Sequence, residues 1–76
     1  MQALTVFVKD GCRRCGQQAK TIDRLSREAR NFRLLDVWQD KLEAEAAGVS
    51  EDDVPVAILT WDGTEQLRTQ NLIELF

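Results

Sequence analysis

The stretch Ala3-Leu4-Thr5-Val6-Phe7-Val8 places apolar or β-prone residues on both alternating sets, a pattern that predicts a strand covered on both faces. Lys9-Asp10-Gly11 supplies turn residues, and the apolar period then changes. Cys15, Ala19, Ile22, Leu25 and Ala29 recur at helical spacing, with Arg13, Lys20, Arg24 and Arg27 on the opposite side, predicting an amphipathic helix over 13–30 that Asn31 can end. Residues 32–37 read as a second strand, interrupted by Arg33 and Asp36 and therefore nearer a sheet edge. Asp40 is placed to cap a short helix over 41–47 that stops at Gly48, and an acidic loop follows at 50–53. Val54-Pro55 introduces a third strand, 56–61, where proline at a strand's first residue is tolerated. Asp62-Gly63 is a two-residue hairpin signal, so 64–68 is expected to return antiparallel. Thr69 or Asn71 starts a last short helix that runs through Phe76. The order, βαβα followed by a hairpin and a helix, predicts an α/β fold. Its four-stranded mixed sheet carries helices on both faces, and a right-handed crossover makes strands one and two parallel.

Seventy-six residues suffice for one small domain, 1–76, and neither a linker, a repeat nor a low-complexity stretch divides it. Apolar content of 43% and charged content of 30% suit a folded soluble chain. No apolar run reaches the length of a membrane span, and the first twenty residues lack the layout of a secretion signal. A cytoplasmic monomer with no membrane partner is the expectation. The net charge of −3 hides an asymmetry: residues 1–33 carry eight Lys or Arg against three acids, whereas 34–76 carry two against ten. Nucleic-acid binding is not expected, because the overall balance is acidic and aromatic residues do not interleave the basic ones.

The chemistry concentrates in Cys12-Arg13-Arg14-Cys15, the chain's only cysteines, in a sequence without histidine. The pair falls where the first strand hands over to the first helix, so unpaired helix N–H groups and the positive end of the helix dipole would favour a thiolate. A loop this short makes a poor structural staple, and the motif reads as a redox dithiol. With Cys12 at the N-cap, its sulfur is the accessible attacker and Cys15, at the head of the buried stripe, the sheltered resolving thiol. Arg13 and Arg14 place two permanent charges beside Cys12 and are expected to lower its pKa. Metal binding is the rival chemistry. Two thiolates without imidazole would need carboxylates, or a second subunit's pair, to complete a shell. Hydrolytic cysteine catalysis would lack its usual proton-transfer partner.

Leu4-Thr5-Val6-Phe7-Val8-Lys9-Asp10-Gly11-Cys12-x-x-Cys15, followed by Leu35-Asp36-Val37, Val54-Pro55-Val56 and the Asp62-Gly63 hairpin, resembles the thioredoxin/glutaredoxin superfamily, especially its shortest glutaredoxin-like members. The resemblance spans nearly the whole chain. It implies a thioredoxin-like fold and a cis peptide bond before Pro55 that faces the dithiol, with Val54 and Pro55 binding a substrate chain. It also implies that Lys9 corresponds to the lysine with which glutaredoxins attract a glutathione carboxylate. The chain departs from both branches. Gly11 stands where thioredoxins carry Trp, and Arg13-Arg14 replaces their Gly-Pro and the Pro-Tyr of glutaredoxins. Arg68-Thr69-Gln70-Asn71 occupies the place of the glycine-rich turn that holds glutathione's other end. The expected function is a small thiol–disulfide oxidoreductase acting on protein disulfides, with no cofactor beyond its own Cys12–Cys15 disulfide. The expected electron donor is a thioredoxin-reductase-like flavoenzyme or dedicated partner, ahead of glutathione. The alternative is a redox-inactive adaptor of the same fold that binds a partner protein.

Overall fold

The computed structural model describes residues 1–75. Strand β1 (Gln2–Val8) lies inside a four-stranded sheet of order β2-β1-β3-β4. It pairs in parallel with β2 (Phe32–Asp36), Val6 opposite Leu34, and antiparallel with β3 (Val56–Trp61), Phe7 opposite Val56. Strand β4 (Thr64–Thr69) completes the sheet antiparallel to β3. The turn between them has Asp62 at φ 50° and Gly63 at φ 82°, the doubly left-handed geometry that an Asp-Gly pair adopts readily and that matches strand twist. The interrupted second strand does lie at an edge, and its ladder extends one step further through the Val37 N–H on the Val8 carbonyl.

The two faces of β1 lead into two cores, which explains its unbroken apolar run. On one face Leu4 and Val6 pack with Leu25, Ala57 and Leu72. On the other, Phe7 packs with Val37, Ala44, Val49, Val54, Val56 and Ile58, and Cys15 joins this cluster. Helix α3 (Lys41–Ala47) covers the second face and ends at Gly48. Its N-cap differs from expectation. The Asp40 carboxylate accepts the Asp36 N–H rather than a helix N–H, because the Asp36 side chain already turns the chain by accepting from Trp38 and Gln39.

The helix expected over 13–30 is two helices, α1 (Arg13–Gln17) and α2 (Ala19–Glu28), separated at Gln18. Gly16 weakens the helix just before the break, and the Gln18 side chain is drawn away toward the C-terminal segment. Its Nε2 donates to the Gln70 carbonyl at 3.1 Å and its Oε1 accepts the Leu72 N–H at 2.9 Å. The break shifts the inward register. Gln18 is half-buried and Ala19 is exposed, while Ile22, Leu25 and Ala29 keep their inner positions. Asn31 does not end the helix, which stops at Glu28. Instead, at φ 52°, it turns the chain into β2 and donates from its amide to the Gln2 carbonyl. The last helix is a 3-10 turn, Leu72–Leu75, preceded by the Thr69 hydroxyl accepting the Asn71 N–H. The expected end at Phe76 lies outside the described residues.

Candidate active site

The end of β1, the start of α1 and the head of β3 converge at one edge of the molecule. The turn 9–12 closes through the Cys12 N–H on the Lys9 carbonyl, at 3.4 Å, with Gly11 at φ 74°. A residue with a Cβ adopts that backbone only at a cost. The turn sets Cys12 at the N-cap of α1, where its Sγ accepts the Cys15 N–H at 3.0 Å. Cys12 and Cys15 form a disulfide with Cα atoms 5.2 Å apart. The sulfurs differ in surroundings as the sequence pattern implied. Cys12 is half-buried at the rim, whereas Cys15 is 9% exposed and packs into the Phe7 core.

Across from the disulfide stands Val54-Pro55, with a cis peptide bond between the two residues. Both are buried, and the Val54 carbonyl oxygen lies 3.9 Å from Cys12 Sγ. In the disulfide that sulfur carries no proton; when reduced, its S–H can donate to this carbonyl. The predicted residues Cys12, Cys15, Val54 and Pro55 therefore meet. Lys9 lies on the other side, on a groove of about 500 Å³ that runs from Cys12 past Ile22 to Leu34. Its ammonium sits 6.0 Å from the centroid of the Trp38 ring, a cation–π distance.

The two arginines diverge. Arg13 is exposed beside Cys12, while the Arg14 guanidinium donates to the Asp52 carbonyl at 3.0 Å, in the loop before Val54. The helix dipole at Cys12 is also smaller than expected, because α1 has five residues rather than eighteen. What remains is the local Cys15 N–H aimed at Cys12 Sγ. The loop 50–53 is closed by Asp53, whose carboxylate accepts the Ser50 N–H at 2.9 Å and the Ser50 hydroxyl at 3.0 Å. These bonds, backbone first, hold the Asp53 carboxyl below its usual pKa, with a smaller contribution from the Arg68 charge. Sequence reasoning missed Gln18, Gln70 and Trp38. Gln18 and Gln70 meet across 52 positions of chain, and neither carries a motif. The Trp38 indole N–H donates to Glu51 at 2.8 Å, a partnership that only the fold reveals. Among the described residues no group of three or more His, Cys, Asp or Glu side chains is arranged to hold a metal ion, and no helix is long and apolar enough to cross a membrane.

No protein-family model matches the sequence, and no curated protein matches it. Solved structures do. The chain is similar to the thioredoxin of Fasciola hepatica, with a TM-score of 0.81 and 24% identity, covering 97% of this chain and 73% of that one. It is also similar to oxidised mitochondrial thioredoxin 3 of Saccharomyces cerevisiae, with a TM-score of 0.79 and 19% identity, covering 97% and 72%. Oxidised thioredoxin O2 of Arabidopsis thaliana gives a TM-score of 0.71 at 17% identity, over 99% and 69%. The architecture is the thioredoxin fold, as the sequence pattern led one to expect.

Proposed function

We propose that the protein is a thiol–disulfide oxidoreductase that reduces disulfides in other proteins, with Cys12 as nucleophile and Cys15 as resolving thiol. One observation carries this reading: an accessible sulfur receives a backbone N–H at 3.0 Å from a second cysteine that is itself buried. A hydrogen bond donated to the sulfur favours its thiolate form. Burial keeps the second thiol from competing for substrate.

The reaction balances without a cofactor. The Cys12 thiolate attacks one sulfur of a substrate disulfide, forms a mixed disulfide and releases the other substrate sulfur as a thiolate. No charged side chain is buried among the described residues, so the released thiolate, or water at the rim, takes the Cys15 proton. The Cys15 thiolate then attacks Cys12 Sγ, closes the internal disulfide and releases the second substrate thiolate. Two electrons have passed to the substrate. Val54 and Pro55 line the approach to Cys12, and the Val54 backbone offers hydrogen bonds to an extended substrate chain.

A donor must return the two electrons. Lys9 could pair with a glutathione carboxylate, but one exposed ion pair contributes only about 0–1 kcal/mol, and its ammonium is directed toward Trp38. On the family resemblance, Arg68-Thr69-Gln70-Asn71 corresponds to the glycine-rich turn that holds glutathione's far end, and it contains no glycine. A flavin-dependent thioredoxin reductase or a dedicated partner protein is therefore the proposed donor, and a cytoplasmic location suits a dithiol that works from its reduced form. Side-by-side turnover of insulin disulfides tests both levels. Reduction with thioredoxin reductase should exceed that with glutathione. Efficient recycling by glutathione alone would reverse the donor assignment, and no insulin reduction even with excess dithiothreitol as the electron source would remove the activity.

A further inference from the structure

The loop 50–53 is exposed, acidic and short, yet each of its residues is bonded. Asp53 closes it internally on Ser50, including a backbone N–H to the Ser50 carbonyl at 3.0 Å. A four-residue turn at the surface opens readily on its own, so both its closure and its place lean on further bonds. Its place is set from outside. The Arg14 guanidinium donates to the Asp52 carbonyl at 3.0 Å, the Gln70 amide to the Asp53 carbonyl at 3.1 Å, and the Trp38 indole to the Glu51 carboxylate at 2.8 Å. Two of these bonds fall on the main chain immediately before Val54, whose carbonyl faces Cys12 Sγ. Both routes lead back to the dithiol's own helical segment. Arg14 sits within α1 next to Cys15, and Gln70 is held through its carbonyl by Gln18 at the end of α1.

We propose that Arg14 and Gln70 are positioning residues that clamp the 50–53 loop to the dithiol helix and so hold the Val54 backbone at a fixed distance from Cys12. The proposal deepens the oxidoreductase reading, on which its kinetic arm rests. It gives Arg14 a different role from the one its position between the cysteines suggests. Its donor group reaches across the site, and its effect on chemistry passes through Val54. A disulfide in an extended peptide must lie along Val54 to present its sulfur at attack distance, and small misplacements there cost large rate factors. A small reagent that touches only the sulfur needs no alignment along Val54, and the 3.9 Å contact of the sulfur with the Val54 carbonyl is a weak S–H bond that bears far less on its reaction.

The test compares reduced wild type with Arg14→Met, Arg14→Lys and Gln70→Ala. Three quantities are measured: the reaction rate with a peptide carrying one internal disulfide, the pH profile of Cys12 alkylation by iodoacetamide, and the hydrogen exchange of the Asp53 amide. Arg14→Met and Gln70→Ala should each slow the peptide reaction about tenfold while leaving the alkylation profile in place, and should speed Asp53 exchange. Arg14→Lys, whose ammonium also donates, should recover part of the loss. Gln70 is uncharged, so a Gln70→Ala effect cannot be electrostatic. Parallel loss of peptide and iodoacetamide reactivity in Arg14→Met would overturn the proposal in favour of a charge effect on the thiol. Slowed peptide reaction with unchanged Asp53 exchange would overturn it in favour of direct substrate contact. Should wild type fail to reduce the peptide, the oxidoreductase reading falls, and Asp53 exchange still decides the clamp, with unchanged exchange in both variants refuting it.

Discussion

Arg13 and Arg14 are neighbours of one type in the same five-residue helix, yet their surroundings separate them. Arg14 is anchored to the Asp52 carbonyl, while Arg13 stands in solvent beside Cys12. Any influence of Arg13 on the sulfur therefore acts through water and is subject to screening over roughly 10 Å at 0.1 M salt. Replacing Arg13 with Gln should slow Cys12 alkylation at mildly acidic pH by a few-fold in dilute buffer, and the difference should fade as salt rises. Equal slowing at low and high salt would show that Arg13 acts through contact instead. At this scale the sequence was informative where residue type dictates chemistry. A pair of thiols with two residues between them, a proline at a strand head and an Asp-Gly pair each have few alternatives. It was silent for Gln18, whose amide is satisfied at both ends by a segment more than fifty residues away. Helical periodicity assigned the inner position to Ala19 because an apolar residue normally takes it.

Among the elements, the broken helix carries the dithiol and the loop 50–53 leads into Val54 opposite it. The loop's closure is made to a carboxylate, whose charge strengthens it. The Asp53 carboxyl is held below its ordinary value of 3.8 by the Ser50 N–H first and the Ser50 hydroxyl second. Because the folded pKa is the lower one, this stabilisation is present above about pH 4 and is lost as pH falls through the depressed folded value. Amide signals of Ser50 and Asp53 should move together in an NMR titration below pH 4, and Asp53→Asn should abolish that titration while leaving the loop closed at neutral pH. Signals that titrate equally in the variant would assign the change to another acid. The strands were legible to within a residue because the sheet's two covered faces demand the apolar runs seen in β1 and β3. The helix over 41–47 has the expected bounds, whereas the one expected over 13–30 does not. Gly16 is the one breaker in 13–30 and is too weak to stop a helix by itself, and the break at Gln18 arises from the tertiary bonds added to it. Asp40 likewise has the right identity for a cap, but the Asp36 N–H competes for its carboxylate.

On the scale of the molecule, the two cores share one sheet but are closed differently. The face beyond Phe7 has α3 over it, while the Leu4 and Val6 face relies on α2 and the single 3-10 turn that brings in Leu72. Leu72 is fully buried at 0% exposure, and its N–H is tied to Gln18. Leu72→Ala should cost about 2–5 kcal/mol in urea unfolding of the oxidised protein, comparable to the whole stability of a domain this small. Leu42→Ala, at a position 82% exposed, should stay within about 0.5 kcal/mol. Similar losses at both sites would mean the 3-10 turn is not the closure of that core. The charge asymmetry resolves in part into local pairing. Arg24 with Glu28 and Arg27 with Asp23 pair along α2, while Arg33 reaches Glu43 across from β2 to α3. Sequence could show the imbalance between the halves but not which charges the fold would bring together.

The account rests on unequal thiols: Cys12 at the rim as attacker, Cys15 in the core as resolver. The most direct measurement is the rate of iodoacetamide modification at each cysteine of the fully reduced protein at neutral pH, resolved by peptide mass spectrometry. It is paired with incubation of Cys15→Ser with a protein disulfide. The account predicts that Cys12 is modified at least tenfold faster than Cys15, and that Cys15→Ser accumulates a stable mixed disulfide through Cys12. Equal modification rates, or a variant that turns over without trapping its substrate, would contradict it.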